Sequence, residues 1–205
     1  MITLYGYPKT RSARAAWALE EAGAEYAYHA INLQTGEHKK PEFLQVNPFG
    51  KIPALADGDL VISESAAICN YIAERFPQAN LIPDTPQGRA EYFHWLFFVV
   101  NELEAHLWTA SKHSRLLPEE KRVPAVIATC EWEFAKAAKV LSAHLSKHQY
   151  LANHQFTAAD IVCTLVLHWA HHSKFVLDDV LLNYMNRLSE RPALARARKR
   201  EAEAI

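Results

Sequence analysis

Residues 63–65 read Ser-Glu-Ser at the seam between two periodicities. Leu60, Val61 and Ile62 are strand formers, whereas Ile68, Tyr71, Ile72, Arg75 and Phe76 recur at helical spacing, so Ser65 falls in the first turn of a helix. The first N–H groups of a helix lack intrahelical partners and carry the positive end of its dipole. Ser65 can therefore hold a carboxylate through its hydroxyl and backbone, or serve simply as an N-cap. Glu64 would repel that carboxylate alone but attract an ammonium beside it. A ligand with an α-amino and an α-carboxylate group on one carbon satisfies both.

Two further stretches belong with this seam: YPKTRS, after the first strand, and NPFGKIPAL, before the third. Pro53 stands beside a strand start, where it removes a ladder donor and requires an edge position, a tight turn or a cis bond. The elements that must position these stretches follow from periodicity. Residues 2–5 and 26–31 read as strands joined by a helix over 12–22, which ends before Gly23. Residues 54–56 and 60–62 form a hairpin across Asp57-Gly58-Asp59, and a helix follows over 65–76. The first crossover makes strands one and two parallel and right-handed. Ligands of such a layer sit at the carboxyl ends of strands and at helix N-termini, where all three stretches fall.

Three prolines and a glycine in PQANLIPDTPQG interrupt every period, so residues 78–88 read as a linker between an α/β domain, 1–77, and an all-helical domain, 89–205. Helices are expected over 89–111, 118–147, 157–173, 178–190 and 192–204, the last a solvated helix with intrahelical ion pairs. FTAADI predicts a capping box between Thr157 and Asp160, with Phe156 stapled to Ile161. EYFHWLFFVVNELEAHLW is apolar on more faces than one buried stripe needs, which points to a pocket or a subunit contact.

The 205 residues carry 22 Lys and Arg against 23 Asp and Glu, so no electrostatic argument favours nucleic acid or an anionic membrane. No apolar run is long enough to span a bilayer, and MITLYGYP does not read as an export leader. Cys69, Cys130 and Cys163 are odd in number with no CxxC pair, which argues against disulfides and thiolate zinc and for a reducing cytoplasm. His168 and His172 lie one helical turn apart without the glutamate of HExxH, so no metal is expected.

Together these features resemble the cytosolic glutathione transferases. The resemblance covers nearly the whole chain and rests most on GEHKKPEFLQVNPFGKIPAL, GDLVISESAAICNYI and FTAADI. It implies an α/β plus all-α fold, an N-terminal thioredoxin-like domain followed by a helical bundle, with glutathione as co-substrate. The γ-glutamyl end would lie at Glu64 and Ser65. The cysteinyl part would pair with the backbone of Ile52 beside a cis Pro53. The glycyl carboxylate would face Lys51, with His38 and Lys39, although those two equally suit a solvated loop.

The chain most resembles a bacterial, theta-like member, and the serine-type alignment that this resemblance implies places Thr10 at the thiolate. Ser12 is the alternative, and Tyr5 and Tyr7 are further candidates. The resemblance also implies a small hydrophobic electrophile as second substrate, and a homodimer. A non-catalytic glutathione-binding or scaffold protein of the same fold, and a glutathione-dependent peroxidase, are the other readings. No cysteine follows strand one, so thiol-transferase chemistry is not expected.

Overall fold

The computed structural model describes residues 1–152 and 154–205. Four strands, β1 (Ile2–Gly6), β2 (Tyr26–Ala30), β3 (Ala54–Asp57) and β4 (Leu60–Ser63), form a mixed sheet in the order β2-β1-β3-β4. β1 and β2 are parallel, as a strand–helix–strand crossover requires, and β3 runs antiparallel to both β1 and β4. In β1 the residues facing the core, Ile2, Leu4 and Gly6, alternate with partly exposed ones. Register decides where chemistry can gather. Tyr5 pairs with Ala54, and Ala54 pairs with Ser63. The end of β1, the start of β3 and the end of β4 therefore share one edge.

Helix α1 (Ser12–Glu21) is enclosed on several sides, with Ala15 to Leu19 fully buried, because α3 (Ser65–Arg75) and α9 (Pro192–Glu203) both pack against it. Between β2 and β3 the chain makes a 3-10 turn, Glu37–Lys39, and a short helix, α2 (Pro41–Val46), opened by a proline in its first turn.

The compact units differ from the expected division at 77 and 89. One comprises Met1–Ile82 with Glu190–Ile205, the other Pro83–Ser189. Residues expected as a solvated last helix of the bundle instead belong with the α/β layer. Leu194, Ala197 and Glu201 form the buried face of α9, and Arg196 and Arg200 bond Glu20 at 2.9 and 3.1 Å while Arg191 bonds Glu21 at 2.6 Å. Those acids outcompete the expected intrahelical partners, of which Lys199–Glu203 at 3.7 Å remains.

Within Pro83–Ser189 the first helix also begins earlier than expected. Thr85 accepts a bond from the Gly88 N–H and caps α4 (Pro86–Phe98) inside the predicted linker. The helical path passes through a π-helical turn, Val99–Glu104, into α5 (Ala105–Ser111) and a second one, Lys112–Leu116, where one regular helix over 89–111 was expected. Residues 118–125 are not regular helix, since Pro124 disfavours the helical conformation at Val123, and α6 runs Val126–Leu145. Helices α7 (Ala158–His172) and α8 (Asp179–Ser189) complete the unit.

The capping box at Thr157 is present and extended. Fully buried Asp160 accepts from the Thr157 and Leu151 N–H groups at 2.8 and 2.9 Å, and from the Thr157 and Tyr184 hydroxyls at 2.9 and 2.7 Å. Four donors on one carboxylate join the start of α7 to the preceding loop and to α8.

Candidate active site

The turn after β1 carries a cluster of hydroxyls at the start of α1. The Thr10 hydroxyl donates to the Tyr7 carbonyl at 2.7 Å, accepts from the Ser12 N–H at 3.3 Å and is hydrogen-bonded to the Ser12 hydroxyl. Ser12 is 0% exposed; its oxygen accepts from the Tyr7 N–H and lies within donating distance of the Tyr7 carbonyl, both at 3.0 Å. Gly6 is obligatory here, because a Cβ on it would stand 2.5 Å from Ser12 Cβ. The two hydroxyls that the sequence left as alternatives are thus distinguished by access. Thr10 is partly exposed at the mouth of the turn, and Ser12 lies behind it. Tyr5 instead points to the face that carries α2, where its ring meets His29 and Phe43.

At the neighbouring strand end, Ser65 opens α3 and is buried, and Glu64 before it is exposed with φ +68°. A glutamate held there costs about 1–3 kcal/mol, which marks a position fixed by more than local preference. The Ser65 hydroxyl accepts from Arg14 Nη1 at 3.0 Å, and Arg14 is only 2% exposed. A buried guanidinium therefore sits between the first turns of α1 and α3, adding positive charge to two helix N-termini. Sequence reading missed Arg14. Nothing local pairs it with a serine 51 residues on.

The third stretch is organised by Asn47, which is also absent from the sequence-based set. Its side chain donates to the Lys51 carbonyl at 2.7 Å and accepts from the Phe49 N–H at 3.2 Å, closing the N-P-F-G turn. Gly50 has φ +58°, and a Cβ there would lie 2.8 Å from the His38 carbonyl, so the turn and the His38 segment touch backbone to backbone. The Ile52–Pro53 bond is cis, and Ile52 packs on the Ile31, Phe43 and Ala54 cluster. Lys51 and Lys39 are exposed, while His38 is half-buried and its Nδ1 has no hydrogen-bond partner among the described residues. That nitrogen is a spare polar atom beside the loop.

Other candidates resolve into packing. His168 bonds Ser189 at 2.6 Å, and among the described residues no group of three His, Cys, Asp or Glu could hold a metal ion. Cys69, Cys130 and Cys163 are free and buried; burial pushes the Cys69 thiol up to about 12, with Arg14 opposing weakly. On α4, Tyr92 and Trp95 are core residues, whereas Phe97 is 57% exposed and stacks on Phe93. Among the described residues no helix is long and apolar enough to cross a membrane.

One edge thus offers a hydroxyl at a helix start, a backbone step into a cis proline, and a buried serine beside an exposed glutamate at a second helix start. Comparison with known proteins gives this edge a family. The model for the glutathione S-transferase N-terminal domain matches residues 1–74. Glutathione S-transferase 3 of Zea mays is 37% identical over 169 residues, 78% of this chain and 73% of the relative. A glutathione S-transferase structure from Xylella fastidiosa superposes with a TM-score of 0.87 at 27% identity, covering 98% of this chain and 99% of that one. The URE2P6 glutathione transferase of Phanerochaete chrysosporium, solved with oxidized glutathione, gives 0.83 at 29% identity over 100% and 97% of the two chains. With its thioredoxin-like sheet and helical second unit, the chain belongs to the glutathione S-transferase family, a family of transferases.

Proposed function

We propose that this chain binds glutathione along the shared strand edge, holds its sulfur as a thiolate against Thr10, and transfers it to a small hydrophobic electrophile. The observation that carries the reading is the register Tyr5–Ala54–Ser63, which aligns the Thr10 turn, the Ile52–Pro53 step and the Glu64–Ser65 helix start. The tripeptide fits end to end. Its γ-glutamyl carboxylate meets Ser65 and the α3 N-terminus, with Arg14 behind, and its ammonium meets Glu64. The cysteinyl backbone pairs with Ile52 as an added strand. The glycyl carboxylate meets Lys51, with His38 and Lys39 beside it; Lys51 and Lys39 are exposed and His38 is half-buried.

A free thiol titrates near ~8.5, and the thiolate is the nucleophile. The Thr10 O–H turns from the Tyr7 carbonyl, which Ser12 at 3.0 Å can serve, and donates to the sulfur, helped by the α1 dipole; a hydrogen bond to a charged group is worth about 1.5–3 kcal/mol. The thiol proton leaves to solvent. The sulfur then forms its bond to carbon as the electrophile's leaving group departs. Ser12, enclosed behind Thr10, supports the donor in a serine-type arrangement with threonine in place. Exposed aromatics, Phe49 at 80% and Phe97 at 57%, favour a homodimer, and three free buried cysteines suit the cytoplasm. Retention on immobilised glutathione followed by assay with a chloronitroarene tests the reading. Conjugation is expected. Failure to be retained overturns glutathione binding, and retention without turnover reduces the chain to a binding protein or to a peroxidase.

A further inference from the structure

The alternation that sends Leu4 and Gly6 toward α1 turns Tyr5 to the opposite face of the sheet, beside α2. In the parallel register Tyr5 stands next to His29, and the two rings lie 5.4 Å apart, tilted by 53°. Phe43 of α2 meets the same tyrosine ring at 6.1 Å, tilted by 56°. A cavity of about 410 Å³ opens there, lined by these three rings and by Glu37, Lys40 and Glu42. Its walls include none of Thr10, Lys51, Ile52, Glu64 and Ser65, so it is separate from the edge described above.

We propose that this cavity is a second ligand site, which takes a small ammonium ion carrying apolar substituents, of the quaternary ammonium kind. The face of an aromatic ring carries negative potential and attracts a cation set over it. Three rings with mutual tilts of 53° and 56° cannot all stack on one flat ligand, but together they make a concave wall that suits a rounded group. Methyl groups on the nitrogen fill such a wall without asking it for hydrogen bonds. An inorganic cation would instead give up hydration that apolar ring faces do not replace.

The charges at the rim agree with the rings. Glu37 and Glu42 stand against Lys40, so carboxylates are in excess around the opening. Glu37 is fixed in place, because its Oε2 accepts from the Asn32 N–H at 2.8 Å. Lys40 is exposed, just before the start of α2, and its flexible stem lets the ammonium turn to water when another cation enters. Size sets a further limit. Sites for drug-sized molecules span roughly 300–1,000 Å³, and this cavity lies near the lower bound, which suits a small ion.

The test titrates the chain with choline chloride at about pH 8, above the ordinary histidine range, against sodium chloride at equal strength, and follows backbone amide shifts by NMR. Saturable shifts at Tyr5, His29 and Phe43 with a millimolar Kd are expected. Dimethylbutanol, the isostere in which carbon replaces the nitrogen, keeps the shape without the charge and should bind roughly tenfold more weakly. Glu42→Gln should weaken choline roughly two- to fivefold and leave the alcohol unchanged, whereas Lys40→Gln should tighten choline by a similar factor. Both positions are exposed, so both variants should fold. Absence of saturable shifts, shifts confined to other residues, equal affinity for the alcohol, or weaker choline binding in Lys40→Gln would each overturn the inference. Choline binding needs no glutathione, so its failure and a failure of retention on immobilised glutathione are separate results.

Discussion

Removing the Thr10 hydroxyl should slow conjugation by making the bound thiol harder to ionise. Thr10 makes one donated bond, to Tyr7 O, and Ser12 stands 3.0 Å from the same carbonyl, so Thr10→Ala leaves that acceptor served. The fold should survive. What is lost is a charge-assisted bond of about 1.5–3 kcal/mol, which at about 1.36 kcal/mol per pH unit raises the thiol midpoint by ~1–2 units. Measured as kcat/KM with a chloronitroarene across pH, the variant should fall roughly 10- to 100-fold near neutral pH and converge on wild type at alkaline pH, where the thiol ionises unaided. Thr10→Ser should retain most of the rate, because it keeps the oxygen and loses only a methyl. An unchanged pH profile in Thr10→Ala would refute the reasoning, the more so if Ser12→Ala shifted it instead.

Three other outcomes follow from buried contacts. Asp160→Ala strips one acceptor from four donors, two of them backbone N–H groups, and should cost ~3 kcal/mol or more in urea unfolding; a loss below about 1 kcal/mol would contradict the network described. Arg14→Lys should raise the Kd for glutathione roughly tenfold, since it takes the guanidinium bond from Ser65 and about 1.4 kcal/mol is a factor of ten; an unchanged Kd in calorimetry would exclude that role. Glu201 has a folded value of about 7 against an ordinary 4.5, so the folded chain binds its proton more tightly than the unfolded chain does. That stabilisation is complete below about 4.5 and is lost as pH rises through about 7, up to ~3 kcal/mol in all, and Glu201→Gln should flatten the decline. A wild-type stability that rises over the same interval relative to the variant would reverse the sign.

Much of the first unit was legible because its signals are local. The change from alternation to helical spacing at residues 60–68 located the β4–α3 junction, and the prolines and glycine of NPFGKIP located the loop before β3. The capping box at Thr157 was equally local. What stayed hidden depends on partners remote in sequence. RARKREAEA carries its own acids, and only the approach of Glu20 and Glu21 on α1 shows where Arg191, Arg196 and Arg200 are spent. Tyr28 read as a strand former and Glu201 as surface charge; their bond to each other exists because β2 and α9 meet. The π-helical turns at Val99–Glu104 and Lys112–Leu116 left no period in the sequence that a regular helix would not leave.

A crystal structure of the chain with reduced glutathione tests the central claim most directly. The sulfur should lie within hydrogen-bonding distance of Thr10 Oγ1, with the γ-glutamyl carboxylate on Ser65 and the cysteinyl backbone paired to Ile52. A tripeptide bound away from the β1–β3–β4 edge, or one whose sulfur faces neither Thr10 nor the start of α1, would contradict the account.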